Sequence, residues 1–406
     1  MICSPRPSGA AGAADAPQGS AAEVLRVALR LGLSSFGGPL AHIGYFERTY
    51  VRERHWLSAE SYAALLALCH VLPGPTSSQL GFLIGLQRAG WRGALAAWAG
   101  FTLPSALLLF GAALLAARLQ GTAALALLAG LKLVAVAVVA QAVWTMGRRL
   151  CTDAATWLIA LGAAALLLLL GGSRAQLAVL AGAALAGALC CRPLAASAAA
   201  AIRVQRAGWP ALMAFALLLL GFACLSWLSP HSPLALAAIF YNAGALVFGG
   251  GHVVLPLLRD ALVPTGWVSD DAFLGGYGLA QAMPGPLFAV AAYLGAVALP
   301  TAATLGAALA LLCIFLPGLL LAVAGASLWQ RLARAARLRA ALAGINAAVV
   351  GILAAALYDP LWTSAVRDGA DVAIAAAAFL VLQSRRGGPL AAVILCVVCS
   401  LLRALR

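Results

Sequence analysis

Charge is scarce in this chain: Asp, Glu, Lys and Arg make up only 9% of its 406 residues, against roughly 25% in soluble domains. Apolar residues make up 64% and the mean hydropathy is +1.00. Together these exclude a soluble protein, and no stretch is polar enough for a domain outside the membrane. Lysine is nearly absent, with Lys132 alone against 25 Arg. The net charge of +14 would suggest nucleic acid in a soluble protein. Here the Arg residues stand at segment ends and in loops, where topology explains them and nucleic acid is not a partner. The twelve carboxylates are also almost all at segment edges or in loops. A cation pump or proton relay normally carries one in mid-membrane, so their placement favours an anion as cargo.

The motifs of intramembrane enzymes are missing too. There is no HExxH, no facing aspartate pair and no GxSG-type nucleophile, so the protein is read as a non-enzyme with no catalytic residues. Nine Cys are scattered mostly through apolar runs, where cysteine behaves as a small hydrophobe. Cys396 and Cys399 form a CxxC without His or carboxylate nearby, and no metal site or cofactor is expected. The first 22 residues lack the apolar stretch of a signal peptide and read as a disordered tail.

What is present is an internal repeat. Phe36-Gly37-Gly38-Pro39 recurs as Phe248-Gly249-Gly250-Gly251, and Trp56-Leu57-Ser58 as Trp267-Val268-Ser269. Pro73-Gly74-Pro75 recurs as Pro284-Gly285-Pro286, Pro104 as Pro317 and Gly130 as Gly344, at offsets of 211 to 214. Six apolar segments (24–46, 61–88, 92–117, 121–146, 154–171, 174–191) are matched by six more (236–259, 272–298, 301–327, 338–358, 370–384, 389–405), with one unpaired helix at 211–228. The expected fold is an all-α polytopic membrane protein of about thirteen segments. It divides into a first repeat at 23–192, a linker at 193–235 and a second repeat at 236–406. The odd shift of seven segments makes the repeats inverted. The positive-inside rule places the N-terminus in the cytoplasm and the C-terminus in the periplasm, whether the first two segments of each half span or re-enter as hairpins.

Inverted repeats with interrupted helices at matching positions point to a secondary transporter whose site lies at the repeat interface. Pro39, Pro73, Pro75, Pro284 and Pro286 are the expected helix breakers, with Gly37, Gly38, Gly74, Gly249, Gly250 and Gly285 freeing the backbone beside them. A half-helix starting at Thr76 would aim unpaired amides at the cavity, an anion site. The hydroxyls of Thr76, Ser77 and Ser78 and the amide of Gln79 add donors. The second half has Leu287 after its Pro286 and lacks those hydroxyls, so the site leans toward the first half. The competing reading is that Gly and Pro merely permit close packing. Lys132, halfway along its segment, is a candidate partner for an anionic substrate or a titrating group, with Asn346 as its repeat partner. Its alternative is a lysine satisfied by carbonyls or facing a watery crevice. His42, His70 and His252 flank the motifs, as protonatable or as packing residues, and Arg26 with Arg30 share a helix face that could attract an anion or meet lipid headgroups, the latter being favoured.

The strings FGGPLAHIG, WLS and LPGPTSSQLG, with FGGGHVVLP, WVS and QAMPGPLF, resemble the chromate ion transporter family in its long two-domain form, over essentially residues 22–406. The resemblance implies efflux of chromate, with sulfate as its structural mimic, across the bacterial cell inner membrane, driven by membrane potential or a proton gradient and giving chromate resistance. A homo-oligomer is compatible with it. Gly251, where the first half has Pro39, departs from the pattern. Expulsion of a dianion from a negative interior is worth about 4.6 kcal/mol per 100 mV. A transporter for sulfate or another oxyanion and a passive anion channel are the alternatives.

Overall fold

The computed structural model describes residues 19–116, 118, 121–193, 208–228, 232–248, 251–384 and 387–405. Most of the expected tail, Gly249, Gly250 and parts of the linker lie outside the described residues. Among those described, the regular structure is helical throughout. The first half comprises α1 (Ala21–Ser34), α2 (Gly38–Phe46), α3 (Ala59–Val71), α4 (Thr76–Ala116), α5 (Thr122–Leu150), α6 (Ala154–Leu170) and α7 (Gly172–Cys190). Helix α8 (Gly208–Leu228) connects the halves. The second half comprises α9 (Pro233–Leu246), α10 (Val254–Leu262), α11 (Asp270–Ala280), α12 (Val290–Ala298), α13 (Ala303–Arg334), α14 (Ala336–Ala356), the single turn α15 (Thr363–Ala365), α16 (Gly369–Gln383) and α17 (Pro389–Ala404). Each expected apolar segment is found, and the first two of each half are broken where Gly and Pro fall. Helix α1 starts two residues ahead of the expected repeat boundary at 23.

Polar residues at segment edges start the helices. Ser20, Ser58, Ser232 and Ser269 each accept a hydrogen bond from the backbone N–H three residues on. Asp153 caps α6 in a reciprocal box with Thr156. The outward faces carry exposed Leu169, Leu170, Leu189 and Leu220, the surface a chain presents to lipid rather than water.

Glycine sets the helix crossings. At Ala89 and Gly90 the backbone leaves helical geometry, and α4 doubles back into a hairpin with arms 76–88 and 91–116. A Cβ on Gly85 would overlap Gly93 O across that hairpin, and Gly295 meets Gly306 in the same way between α12 and α13. Gly130 lies on Cys396 and Val397 of α17, while its repeat mate Gly344 lies on Ala183 and Gly187 of α7. Thus α6 and α7 pack on α14 of the second half, and α16 and α17 pack on α5 of the first. The exchange is the signature of two related halves arranged about a pseudo-two-fold axis.

Candidate functional site

The four helix breaks converge at the repeat interface. In the first, α1 ends at Ser35, Gly37 and Gly38 take positive φ (103° and 74°), and α2 begins with Pro39 in its first turn. In the second, Gly74 (φ 119°) stands between α3 and α4. The third falls between α9 and a 3-10 turn at Gly251–Val253, and the fourth centres on Gly285 (φ 95°), between Pro284 and Pro286. A Cβ on Gly251 would lie 3.6 Å from Pro39 Cγ, so the first and third breaks touch.

The halves bind each other at these points by a reciprocal pair of backbone hydrogen bonds. Gly74 N–H donates to Val247 O at 2.7 Å, and Gly285 N–H donates to Ser35 O at 2.9 Å. Ser35 and Val247 are repeat mates, as are Gly74 and Gly285. Each PGP loop is therefore tied to the first break of the other half. Neither glycine has room for a side chain: Gly74 abuts Gly318 Cα and Gly285 abuts Ser105 Oγ, again at equivalent positions.

Around this knot the first half is polar and the second is not. His42 is 1% exposed. Its Nε2 lies 3.2 Å from Ser35 O and its Nδ1 3.4 Å from Ser77 Oγ. Its ring meets Phe101 edge-on with centroids 5.2 Å apart. With Nε2–H donating to the carbonyl, Nδ1 is left to accept from the Ser77 hydroxyl, a tautomer assigned from the network. Thr76, Ser77 and Ser78 precede the first hydrogen bond of α4, Gln79 N–H to Pro75 O, so their own amides have no acceptor within the helix. The hydroxyls of Ser35, Ser78 and Thr102 are buried without a partner among the described residues. The second half offers Val247, Leu287, Phe288, Ala289 and Phe315 at the positions of Ser35, Thr76, Ser77, Ser78 and Thr102. A set of neutral donors at a half-helix N-terminus, pre-arranged and unused, suits an anion.

Several expected residues sit otherwise. The Gln79 amide nitrogen is committed, donating to Pro73 O at 2.8 Å and Gly318 O at 2.9 Å, so Gln79 braces the PGP loop against α13. His252 bonds Tyr277 Oη through Nδ1 at 2.8 Å within the second half. Lys132 is 6% exposed and forms an ion pair with Asp271 in the first turn of α11, a carboxylate 139 residues away in sequence. Arg26 and Arg30 are exposed on the outer side of α1, as suits lipid headgroups. Thr102 and Tyr277 were missed. The signal for Thr102 was the hairpin: it and Ser78 lie twelve residues on either side of Gly90, which brings them to one level. A cavity of about 170 Å³ lies elsewhere, among the α6–α7 turn, α10 and the end of α14.

A helical chain built twice, clothed in leucine and broken four times at one polar centre, defines a multi-pass membrane transport protein. Residues 22–188 and 234–401 match the chromate transporter family, and the chain belongs to it. It is 31% identical over 294 residues to the chromate transport protein of Pseudomonas aeruginosa, a stretch covering 66% of this chain and 65% of that one. It is 25% identical over 297 residues to the chromate transport protein of Cupriavidus metallidurans, covering 69% and 68%. An uncharacterized transporter of Methanocaldococcus jannaschii is 33% identical over 90 residues, 22% of each chain. The match thus spans just under two thirds of the Pseudomonas relative's length. No solved structure matches the chain.

Proposed function

We propose that this protein exports chromate, or a tetrahedral oxyanion of like shape and charge, from the cytoplasm across the bacterial inner membrane. The membrane potential or the proton gradient drives it, and the cell gains chromate resistance. The N-terminus lies in the cytoplasm, the C-terminus in the periplasm, and the halves at 23–192 and 236–406 are the two inverted repeats joined through 193–235. Three buried hydroxyls with no partner among the described residues, Ser35, Ser78 and Thr102, carry this reading. They stand where α4 presents its free amides, and leaving such groups unmatched costs about 1–3 kcal/mol each. An oxyanion supplies the missing acceptors. His42 holds Ser77 beside them, the glycines of the breaks give the backbone its path, and the family and the names of the relatives supply chromate as cargo. A second reading, sulfate as cargo, follows from the same donors, since amides and hydroxyls do not distinguish the two dianions.

The test is chromate uptake into inverted membrane vesicles, with sulfate as competitor and Thr76→Ala and Ser78→Ala beside the wild type. Saturable uptake that needs an energised membrane and weakens in both variants is expected. Uptake no greater than in empty vesicles sinks the chromate assignment, and complete inhibition by equimolar sulfate moves the cargo to sulfate.

A further inference from the structure

The pseudo-two-fold frame makes each contact in one half a forecast for the other, so a contact made once and missing once marks a difference in state. The seam between α5 and α11 is of this kind. A Cβ on Gly275 would stand 2.7 Å from Leu128 Cδ2, and one on Gly278 would overlap Leu131 O, so two glycines lay α11 directly on α5. Lys132 and Asp271 close the seam as an ion pair. The lysine side chain is 7% exposed and the aspartate side chain 63%, which puts the cation inside and the anion at the mouth.

The equivalent seam lies between α3 and α14. Asn346 replaces Lys132 there, Glu60 replaces Asp271, and Ala64 and Ala67 replace the two glycines. That seam is not made: α3 packs on α4 and α13 and has no comparable contact with α14. Glu60 is exposed and pairs with no cation among the described residues. Because the halves are inverted, the two seams face opposite sides of the membrane, and alternating access in such folds is a rocking of one repeat against the other about a fixed site.

We propose that Lys132 and Asp271 form the latch of one end state. The structure is closed along α5–α11 and parted along α3–α14, and transport exchanges these two arrangements. This rests on the transporter reading above. Helix α11 leads into the Gly285 loop, which is bonded to Ser35, so releasing the latch moves the polar centre itself. When Asp271 leaves, the Lys132 ammonium needs another counter-charge inside the membrane. An oxyanion in the crevice supplies one, which makes the cargo a competitor of Asp271.

Backbone hydrogen–deuterium exchange of the purified full-length protein tests the latch with no oxyanion present, so the result stands whatever the cargo proves to be. In Asp271→Asn and in Lys132→Met, exchange over 270–280 should quicken about tenfold, the loss of about 1.4 kcal/mol of protection. The double variant should be no faster than either single one. Exchange over 59–71 should slow in the same samples, because the two seams close in alternation. A pair that only holds the fold would quicken 270–280 and leave 59–71 unchanged, and that result overturns the latch. So does unchanged exchange over 270–280 in Asp271→Asn.

Discussion

A hydroxyl buried without a partner is an odd thing for a membrane protein to keep, because hydrocarbon offers nothing in place of water. Thr102 is one, at 0% exposure. If it serves the cargo, Thr102→Val, which keeps shape and removes the hydroxyl, should leave the melting temperature of the detergent-purified protein unchanged or higher. The KM for chromate in vesicles should rise roughly tenfold, since a hydrogen bond to a charged group is worth about 1.5–3 kcal/mol. An unaltered KM with a lowered melting temperature would make Thr102 structural. At this scale sequence and structure part company. Thr76, Ser77, Ser78 and His42 were legible as candidates because they adjoin the Gly and Pro breaks that repeat. Thr102 was not, because the hairpin that sets it beside Ser78 is a tertiary event. Nor was the partner of Lys132, since Asp271 is 139 residues away and only the docking of α11 brings it near.

Elements were more legible, because their signals are local. Apolar run length gave the segments, and Gly with Pro gave the breaks. The broken helices are short: α1 has 14 residues and α3 has 13. At about 1.5 Å per residue each reaches only about 20 Å of a hydrocarbon core of about 30 Å. Neither crosses the core alone, so a crossing there needs the helix on the far side of its break. The caps carry a pH dependence. The Thr156 backbone N–H, and then its hydroxyl, donate to Asp153 and hold its carboxyl below the usual carboxylate range. A depressed carboxylate stabilises the fold above its unfolded pKa, and that share is lost as pH falls through the folded value. Asp153→Ala should therefore melt lower than the wild type at pH 7, with the gap constant down to about pH 4 and closing below it. A gap that persists undiminished under strong acid would show that the carboxylate charge is not what caps α6.

For the whole molecule, the halves are neither separable nor equal. Helices α6 and α7 belong by sequence to the first half and by packing to α14, and α16 and α17 do the reverse with α5. The repeat itself could be read from the steady offset, but this exchange could not, because offsets carry no information about which half a helix leans on. Cutting the chain between 193 and 208 and expressing the pieces together should give a complex that co-purifies and takes up chromate. Either piece alone should be degraded, as immunoblots of membrane fractions would show. Two pieces that each accumulate stably alone would contradict the exchange. The inequality reaches further than stability. The frame is two-fold, but Ser35, Ser77, Ser78 and Thr102 face Val247, Phe288, Ala289 and Phe315 across the axis. If these hydroxyls hold the proposed cargo, an anion arriving from one side of the membrane would meet them in a different order from one arriving from the other. On the oxyanion-transport reading proposed above, the two fluxes under equal and opposite gradients should therefore differ, as in a rectifier, which vesicles of the two orientations would show as unequal initial rates.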